Sequence, residues 1–484
     1  MRQTETSLEG VVVKFVLRDK KMKDVIIIGG GIAGLSAGFE LYKNNIDFQI
    51  LETSYRVGGN IETLKIGDYL IETGPHTISS VNKETIDLVN YLEIEDSLQI
   101  ANPVAKKRFV FINGHLMPVP TNPIGFFKSD LLTKDGKWTV LEEFFVKKEE
   151  KEETVEDFIS RRFGREVLKN LIQPYLSGVF AGDVKKLSAN AVFPKLKELE
   201  ANYKSVLLGL FLSKKFKSSM KNLTLYSFIG GMESFPKEIY EKLRNRITLS
   251  ARDIEISRAK DFFIVTFKAN NKTISYTTNS ILFAIPAHKI SEYAYLLPNT
   301  VLDSFVIEYM PVAAVNQVVD KSKLKLELEG FGFLCTKEPH RKLLGTIWTS
   351  SIFPDRAPSN KVLLTSYIGG AYYKKIVDQT EEEIKNLTSK ELSEILQISD
   401  HSLIETIHVK VHHQAIPQYN IGHLEKVKQI EGLMNTNYGL FFTGNYLYGI
   451  SINDTIKTSK MTVEKIKRFL NSVVKNQREL TTIN

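Results

Sequence analysis

A glycine-rich hexapeptide near the start of the chain has the residue types and spacing of a phosphate-binding turn. Gly29-Gly30-Gly31-Ile32-Ala33-Gly34 follows the apolar run Val25-Ile26-Ile27-Ile28, and Glu52 closes a second apolar run eighteen residues beyond the last glycine. Strand, glycine turn, helix, strand and acid, in this order, form a βαβ unit that holds a dinucleotide. We expect Gly29 to make the tight turn, Gly31 to admit a pyrophosphate and Gly34 to let the helix pack closely on the sheet.

The residues around this motif decide which dinucleotide it favours. Glu52 can accept hydrogen bonds from ribose hydroxyls, which favours FAD or NAD over NADP. A second glycine pair, Gly58-Gly59, follows the acid directly, and Glu72-Thr73-Gly74-Pro75 comes soon after. A glycine pair just past the acid is typical of flavoproteins. The sequence therefore predicts FAD.

Composition excludes several classes of protein. The 484 residues exceed the roughly 250–300 at which a single core stops growing, so we expect two or three domains. Cys335 is the single cysteine, which excludes an internal disulfide and cysteine-based metal clusters and indicates a reducing, cytoplasmic compartment. Nine histidines without paired spacing give no metal site. The net charge of +8 comes from lysines spread along the chain, and no nucleic-acid-binding motif accompanies it, so we expect no nucleic-acid partner.

Two segments bear on membranes and on the chain start. No run approaches the roughly 18 apolar residues of a spanning helix. The apolar segment 206–212 is flanked by Lys204, Lys214, Lys215 and Lys217, and is predicted either to lie peripherally on a membrane or to be a core helix with a basic end. Residues 1–21 are expected to be dispensable, so that a chain beginning at Met22 keeps its flavin.

The periodicity predicts a coarse order of elements. We expect a helix over 86–100, a hairpin over 107–120 that turns at Asn113-Gly114, and helices across 154–216. A further helix is expected after Gly230-Gly231, strands over 247–285 and 311–370, and a strand, glycine turn and helix over 439–472.

Four further motifs, in order along the chain, are more specific than the first. They are Ser177-Gly178-Val179-Phe180-Ala181-Gly182-Asp183 with Leu187-Ser188; Gly330-Phe331-Gly332-Phe333-Leu334; Ile416-Pro417-Gln418-Tyr419 with Gly422-His423; and Gly444-Asn445 through Gly449-Ile450-Ser451-Ile452-Asn453-Asp454. With them, the chain from about 24 to 470 resembles the oxygen-dependent protoporphyrinogen and coproporphyrinogen oxidases of the flavin amine oxidase superfamily.

The resemblance implies an α/β and α+β architecture of three parts. These are a discontinuous Rossmann-like FAD-binding domain (22–86, 216–290 and 426–484), a helical, membrane-associated domain that contributes to the substrate site (87–215) and a mixed-sheet substrate domain (291–425). The implied cofactor is non-covalent FAD.

The resemblance also implies roles for individual residues at the flavin. Gly74, Pro75, His76 and Thr77 would run beside it, the backbone of Ile254 would meet the adenine, and His412 would lean on the cofactor or be structural. The backbone of Ile450, Ser451 and Ile452, at a helix N-terminus, would face the flavin, with Asp454 capping that helix. The family usually has a glycine near Ser459-Lys460, and its absence questions how this helix packs.

For the substrate, the resemblance implies an arginine anchor beside a roomy pocket. Arg108 would hold a propionate by two hydrogen bonds. Small residues would leave room for a flat macrocycle, and Leu334 would pack on its face; the matching positions are Gly178, Ala181, Gly332, Leu334 and Tyr367. No catalytic base stands out.

The implied activity is six-electron oxidation of protoporphyrinogen IX to protoporphyrin IX, with oxygen as acceptor, on a peripheral membrane protein. Coproporphyrinogen III is the alternative substrate. Another flavin amine oxidase or a carotenoid desaturase is the alternative enzyme, and a non-catalytic flavoprotein that carries haem precursors is the alternative from another class. The oligomeric state, including a homodimer, stays open.

Overall fold

The computed structural model describes residues 21–213, 223–260, 262–436 and 438–482. Residues 1–20 and the three lysines between 214 and 217 lie outside these ranges, so the predictions made for them are not addressed by the structure.

The strands alternate with helices at the start of the chain and dominate its middle. They are β1 (Lys21–Ile28), β2 (Phe48–Leu51), β3 (Thr63–Ile66), β4 (Tyr69–Glu72), β5 (Ile78–Ser79), β6 (Leu98–Ile100), β7 (Phe109–Ile112), β8 (His115–Pro118), β9 (Leu225–Phe228), β10 (Ile247–Thr248), β11 (Arg252–Arg258), β12 (Phe263–Ala269), β13 (Lys272–Phe283), β14 (Tyr309–Asp320), β15 (Gly332–Cys335), β16 (Leu343–Ile347), β17 (Lys361–Gly369), β18 (Glu405–Pro417) and β19 (Leu440–Phe442).

The helices concentrate between residues 123 and 212 and at the C-terminus. Within the described residues they are α1 (Ile32–Lys43), α2 (Lys83–Leu92), α3 (Pro123–Lys128), α4 (Lys134–Leu141), α5 (Val155–Phe163), α6 (Arg165–Val167), α7 (Gln173–Val179), α8 (Ala189–Val192), α9 (Pro194–Tyr203), α10 (Val206–Leu212), α11 (Ser234–Leu243), α12 (Asn299–Leu302), α13 (Thr349–Ile352), α14 (Glu381–Leu396), α15 (His423–Met434) and α16 (Ile452–Thr482). A π-helical turn, Leu168–Ile172, joins α6 to α7, and short 3₁₀ helices include Glu142–Phe145 and Pro354–Arg356.

The first sheet joins strands that lie far apart in the sequence. Its order is β10-β2-β1-β13-β12-β11, and β19 pairs with the end of β13. β1 runs parallel to both neighbours, with Val25 opposite Phe48 and Ile28 opposite Phe283. The run Val25–Ile28 is buried, as expected for a central parallel strand covered on both faces. Segments from the start, middle and end of the chain therefore build one sheet.

The second sheet is mixed. Its order is β18-β14-β17-β16-β15-β7-β8, and the β15–β7 pair is parallel while the others are antiparallel. The hairpin β7–β8 turns at Asn113 (φ 51°) and Gly114 (φ 81°), as predicted, because a two-residue turn of this hand needs positive φ at both positions. Helix α14 covers one face, and the opposite face carries the side chains that line the candidate site.

A buried ion network holds the helical segment together. The fully buried Arg162 guanidinium donates to Glu143 (3.0 Å) and Glu200 (2.8 Å). The Glu143 carboxylate in turn accepts from the backbone N–H groups of Val206 and Leu207, at the start of α10. One arginine therefore ties α5, α9 and α10 into one unit.

The predicted helix over 86–100 is wrong beyond its first half. Helix α2 ends at Leu92 because Glu93 adopts a left-handed conformation (φ 59°). The chain then forms β6, which pairs with β9 through Leu98 and Phe228. That pairing joins segments about 130 residues apart, so local periodicity does not reveal it.

Helix α10 partly exposes its apolar side chains. Val206 and Gly209 are buried, whereas Phe211 and Leu212 are more than half exposed. Across the described ranges, no helix combines the length and the apolar character needed to cross a bilayer.

Candidate active site

The glycine turn after β1 separates three steric requirements. Gly29 has φ 107°, and a Cβ there would lie 2.7 Å from the carbonyl oxygen of Ala284. A Cβ at Gly34 would overlap the carbonyl oxygen of Gly29, so α1 packs directly on the turn. A Cβ at Gly31 would meet nothing closer than the Cα of Gly59, at 4.0 Å. Gly31 therefore borders open space, and its backbone leads into the N-terminus of α1.

Glu52 lies at the end of β2 and is fixed by this turn. Its carboxylate accepts hydrogen bonds from the N–H of Gly30 (2.5 Å) and of Ser54 (2.7 Å), and its carbonyl accepts from Ala251 (2.9 Å). Ile254 follows three residues later on β11, half-buried against the first core. The acid thus stands beside the glycine turn.

The second glycine pair is bound to the first turn. The N–H of Gly58 donates to the carbonyl of Gly30 (2.9 Å). The Arg56 guanidinium holds the same loop through the carbonyls of Val57, Gly59 and Ile61 at 2.8–3.1 Å. Arginine and turn together present Gly58 and Gly59 opposite Gly31.

The C-terminal helix α16 brings a second helix N-terminus to the same place. Ser451 caps it: its hydroxyl accepts from the N–H of Asp454 (3.1 Å) and donates to the Asp454 carboxylate (2.6 Å). The prediction that Asp454 is the cap is therefore wrong, because Asp454 lies inside the first turn. Ser459 replaces the expected glycine without loosening the helix, since its buried hydroxyl donates to the carbonyl of Ala33 (3.0 Å).

These pieces enclose a cavity of about 480 Å³, within the size range of small-molecule sites. Its walls come from the glycine turn, the loop after β4, α7, the second sheet and the start of α16. Fifteen predicted site residues line it: Gly31, Ile32, Ala33, Gly58, Gly59, Gly74, Pro75, Thr77, Gly178, Ala181, Tyr367, His412, Ile450, Ser451 and Ile452.

Nine predicted site residues do not line the cavity. They are Gly29, Gly30, Gly34, Glu52, His76, Ile254, Arg108, Gly332 and Leu334. The first four build the glycine turn or stand beside it, and Ile254 lies beyond Glu52.

His76 is buried behind the loop that faces the cavity. It packs edge-on to Tyr367, and burial, with the charge of Arg356, lowers its pKa to about 3. The structure gives this ring a place in the interior and no contact with the cavity.

The glycines of the predicted substrate pocket have local steric causes. A Cβ at Gly178 would overlap the Leu334 side chain, so the space left by this glycine is filled by leucine. Gly332 has φ 136°, and a Cβ there would overlap the carbonyl oxygen of Thr346 on the neighbouring strand. Both glycines let α7, β15 and β16 approach one another.

Arg108 lies outside the cavity, just before β7. Its side chain is exposed and its guanidinium stacks over the Phe331 ring at 5.4 Å from the centroid. Because β7 is parallel to β15, with Val110 opposite Leu334, Arg108 stands beside the start of β15.

Within the described residues, no Asp, Glu, Lys or Arg lines the cavity. Burial lowers the pKa of His412 and raises that of Tyr367, so both are neutral near pH 7. His412 Nε2 lies 2.8 Å from the carbonyl oxygen of Thr73, which can only accept, so this nitrogen carries the proton. The electrostatics come from the N-termini of α1 and α16, which favour negative charge.

Several functional positions were missed from sequence. Ala284, Ile285 and Pro286 line the cavity directly after β13. Ligands bind at the carboxyl ends of parallel strands, so the apolar run ending at Pro286 indicates that the residues after this strand line the site. Val312, Leu344, Ala415 and Ile416 line it from the second sheet, whose register is not readable from sequence.

Two other missed residues hold the cavity walls in place. The Tyr419 hydroxyl donates to the carbonyl of Asn445 (2.5 Å) and accepts from the N–H of Gly449 (2.7 Å), which fixes the loop before α16. Gln418 donates to the carbonyl of Phe180 (2.8 Å) and so fixes the end of α7. Both residues belong to the motif Ile416-Pro417-Gln418-Tyr419, for which the sequence predicts no individual role.

Known proteins resemble this chain over nearly its whole length. The model of the flavin-containing amine oxidoreductase family matches residues 32–467. The chain belongs to this family. The chloroplastic protoporphyrinogen oxidase of Nicotiana tabacum is 31% identical over 475 residues, covering 92% of this chain and 86% of the relative. The coproporphyrinogen III oxidase of Bacillus subtilis (strain 168) is 28% identical, covering 93% and 98%.

A solved structure from Exiguobacterium sp. 255-15 has the same fold. It matches with a TM-score of 0.76 at 22% identity, covering 92% of this chain and 99% of that one. The chain is thus a flavin-dependent oxidoreductase of mixed α/β fold. The open space at Gly31, the two helix N-termini and the nearby Glu52 fit a flavin nucleotide.

Proposed function

We propose that the protein binds FAD and oxidises protoporphyrinogen IX to protoporphyrin IX with oxygen as electron acceptor. The observation that supports this most is the cavity itself, in which the flavin-type glycine turn opens onto an uncharged wall of the second sheet. An apolar macrocycle suits that wall, whereas a protonated amine would find no carboxylate among its described residues.

The residues divide the work of binding. Gly31, Gly58 and the start of α1 would receive the pyrophosphate, and Glu52 would receive a ribose. The start of α16 and the loop at Gly74 would position the flavin ring. A bound flavin supplies the two-electron acceptor that no amino-acid side chain provides.

The protein supplies position, dryness and a fixed field for this chemistry. Because His412 and Tyr367 are neutral, they place no charge in the cavity. The Tyr367 hydroxyl also donates to the carbonyl of Gly74 (3.2 Å), which joins the second sheet to the loop after β4. Complete oxidation removes six electrons and six protons, which three molecules of O₂ take up as three of hydrogen peroxide.

Coproporphyrinogen III is the second candidate substrate. Similarity to the Bacillus subtilis relative favours it, because that protein is named for this substrate. It differs from protoporphyrinogen IX by carrying two more carboxylates at the rim of the macrocycle.

Turnover tests the proposal directly. Purified, flavin-loaded protein should generate porphyrin fluorescence from a porphyrinogen under oxygen, with three molecules of peroxide per porphyrin. Heat-denatured protein controls for spontaneous oxidation. Loaded protein that oxidises neither porphyrinogen would overturn the proposed activity, and oxidation without the expected peroxide would overturn oxygen as acceptor.

We also propose peripheral attachment to a membrane from the cytoplasm. Phe211 and Leu212 at the end of α10 are more than half exposed, and Phe145, on the 3₁₀ helix that contacts α10, is 87% exposed. The unpaired Cys335 fits a reducing compartment. The protein should float with anionic vesicles at low salt, and the triple change Phe145→Ser, Phe211→Ser, Leu212→Ser should abolish flotation while leaving flavin content unchanged. Wild-type protein that stays at the bottom would contradict this.

A further inference from the structure

A second cavity lies next to the first, at the C-terminal end of β15. Its volume is about 370 Å³, and it is formed where β15 ends, β16 begins and the loop 336–342 closes over them. Leu344 lies in the walls of both cavities, and Ser177, beside Gly178 on α7, lines the second one. The two cavities therefore share part of one wall.

The second cavity differs from the first in charge. Lys337, Arg341 and Lys342 line it, with Glu338 as the one carboxylate in its described walls. The Glu338 carboxylate lies 3.3 Å from the His340 ring. The uncharged cavity thus has a cationic neighbour.

Arg341 is built into this wall and is not a surface residue. Its side chain is 6% exposed, and its Nη1 lies 3.5 and 3.6 Å from the carboxylates of Glu394 and Glu391. Among the described residues, neither Nε nor Nη1 of this guanidinium has a hydrogen-bond partner. A buried guanidinium with unused donors is costly unless an acceptor satisfies it.

The two lysines are held by aromatic rings. The ammonium of Lys337 lies 3.7 Å from the centre of the Tyr372 ring, and that of Lys342 lies 5.5 Å from the Tyr373 ring and donates to the carbonyl of Pro339 (3.0 Å). Rings that hold an ammonium reduce the side-chain entropy lost when an anion binds.

Lys337, Arg341 and Lys342 form a cationic group at the end of β15, whereas Arg108 stands beside the start of this strand. Arg108 lies over Phe331, before the strand begins, and Lys337 follows just after it ends. Extended chain between these positions spans roughly 20 Å, at about 3.3 Å per residue. Leu334, between them, packs against α7 at Gly178. The two cationic groups therefore lie at opposite ends of β15, which packs behind the wall of the first cavity at Gly178.

We propose that the second cavity binds rim carboxylates of the substrate on the side opposite Arg108. The inference rests on the proposed function and refines its substrate class. A macrocycle with carboxylates on opposite sides uses both cationic groups at once, whereas one with both carboxylates on one side uses a single group. Of the two substrates proposed above, the tetracarboxylate coproporphyrinogen III should accordingly be oxidised with the higher kcat/KM, and the dicarboxylate protoporphyrinogen IX with the lower.

The test compares both porphyrinogens on one pair of variants. The double variant Lys337→Gln, Lys342→Gln removes two charges from the cavity wall, and the exposed pair Lys323→Gln, Lys325→Gln is the matched control. Wild-type kcat/KM should be higher for coproporphyrinogen III. The cavity variant should lose about tenfold or more on this substrate, as expected for charged hydrogen bonds, and less than about twofold on protoporphyrinogen IX. The control pair should leave both values unchanged.

Other outcomes are decisive too. An unchanged substrate ratio in the cavity variant, or an equal loss on both substrates, would overturn the inference while leaving the oxidase activity intact. Flavin-loaded wild type that oxidises neither porphyrinogen would instead overturn the proposed function.

A second variant and a competing anion complete the design. Arg341→Lys keeps the charge but loses the planar donor set, and should reduce the preference for coproporphyrinogen III with unchanged flavin content. Added inorganic phosphate, at constant ionic strength, should compete only with coproporphyrinogen III and only in wild type. If phosphate changes the rate with both substrates equally and the cavity variant abolishes that change, the cavity binds a free anion and the proposal fails.

Discussion

At the scale of the residue, the site separates neutral from charged side chains. Its cavity is lined by backbone and by uncharged side chains, while Arg108, Lys337 and Arg341 stand outside it. A wall without charged side chains strengthens the effect of fixed dipoles on a redox centre, because no ion in the wall screens them. The charged groups are left for the rim of a substrate.

Gly31 offers a clean test of flavin binding. Its φ of −69° and ψ of 178° suit any residue, so Gly31→Leu adds a side chain without backbone strain. Because that side chain would fill the space at the turn, flavin affinity should fall about tenfold or more, which is about 1.4 kcal/mol or more. The flavin-to-protein absorbance ratio measures this. Gly432→Leu, on the exposed face of α15 with nothing near its Cβ position, is the matched control and should keep its flavin.

Arg108 should affect the substrate and not the cofactor. Arg108→Ala should leave the flavin spectrum unchanged and raise KM about 10- to 100-fold, since a charged hydrogen bond is worth roughly 1.5–3 kcal/mol. Arg108→Lys should recover only part, because an ammonium lacks the two-pronged geometry. Lys107→Ala, the neighbouring exposed cation paired with Glu329, is the control. Equal kinetics in wild type and Arg108→Ala would remove this residue from the site.

The sequence predicts cavity-lining residues well where they belong to one local motif. Gly31, Gly58 and Ile450–Ile452 line the cavity because their positions follow from a local motif. His76 and Gly332 do not, because their roles depend on long-range packing against Tyr367 and against Thr346. A motif indicates that a segment passes the site, while the direction of each side chain depends on its neighbours in space.

At the scale of the element, buried charge organises the helical segment. Arg162 and two carboxylates connect α5, α9 and α10, which also share an apolar cluster that includes Phe158, Leu199 and Val206. The predicted helices across 154–216 are confirmed as far as Leu212, because their capping residues and periodicity are local. The ion network was not predicted, since Glu143, Arg162 and Glu200 are far apart in sequence.

Removing Arg162 should loosen this segment. Arg162→Ala leaves the buried Glu143 carboxylate without its cationic partner and removes one of the three cations paired with Glu200, which costs about 3–5 kcal/mol of unfolding free energy. Arg165 is an exposed arginine three residues further on, and Arg165→Ala should change the unfolding free energy by about 0.5 kcal/mol or less. Denaturant unfolding followed by circular dichroism measures both. Equal effects would show that the network adds no stability.

The same network gives a signed pH dependence. Burial opposes ionisation of Glu200, but hydrogen bonds from Lys197, Arg161 and Arg162 outweigh it and lower the pKa from 4.5 to about 2. Between these values the unfolded chain binds a proton that the folded chain does not, so stability falls as pH falls. Glu200→Gln should show a shallower loss of stability from about pH 4.5 downwards. The exposed Glu198→Gln on the same helix should keep the wild-type slope.

At the scale of the whole molecule, the cavity is assembled from both ends of the chain and from its middle. The glycine turn, β13 and the start of α16 meet at one edge of the first sheet, and the second sheet closes the cavity from the other side. A ligand bound there contacts segments that are separated by hundreds of residues. Binding should therefore stabilise the molecule as a unit.

Flavin removal should reveal this coupling and identify the nucleotide. Apo-protein should unfold at a lower temperature than loaded protein, and FAD at 100 times its Kd should add about 2.7 kcal/mol to the unfolding free energy. FMN at the same concentration should stabilise less, because it lacks the adenosine half whose ribose is proposed to contact Glu52. Glu52→Gln should bring the stabilisation by FAD closer to that by FMN, since an amide accepts fewer hydrogen bonds than a carboxylate. Equal stabilisation of wild type by FMN and FAD would show that the region from Glu52 to Ile254 makes no contact with the cofactor.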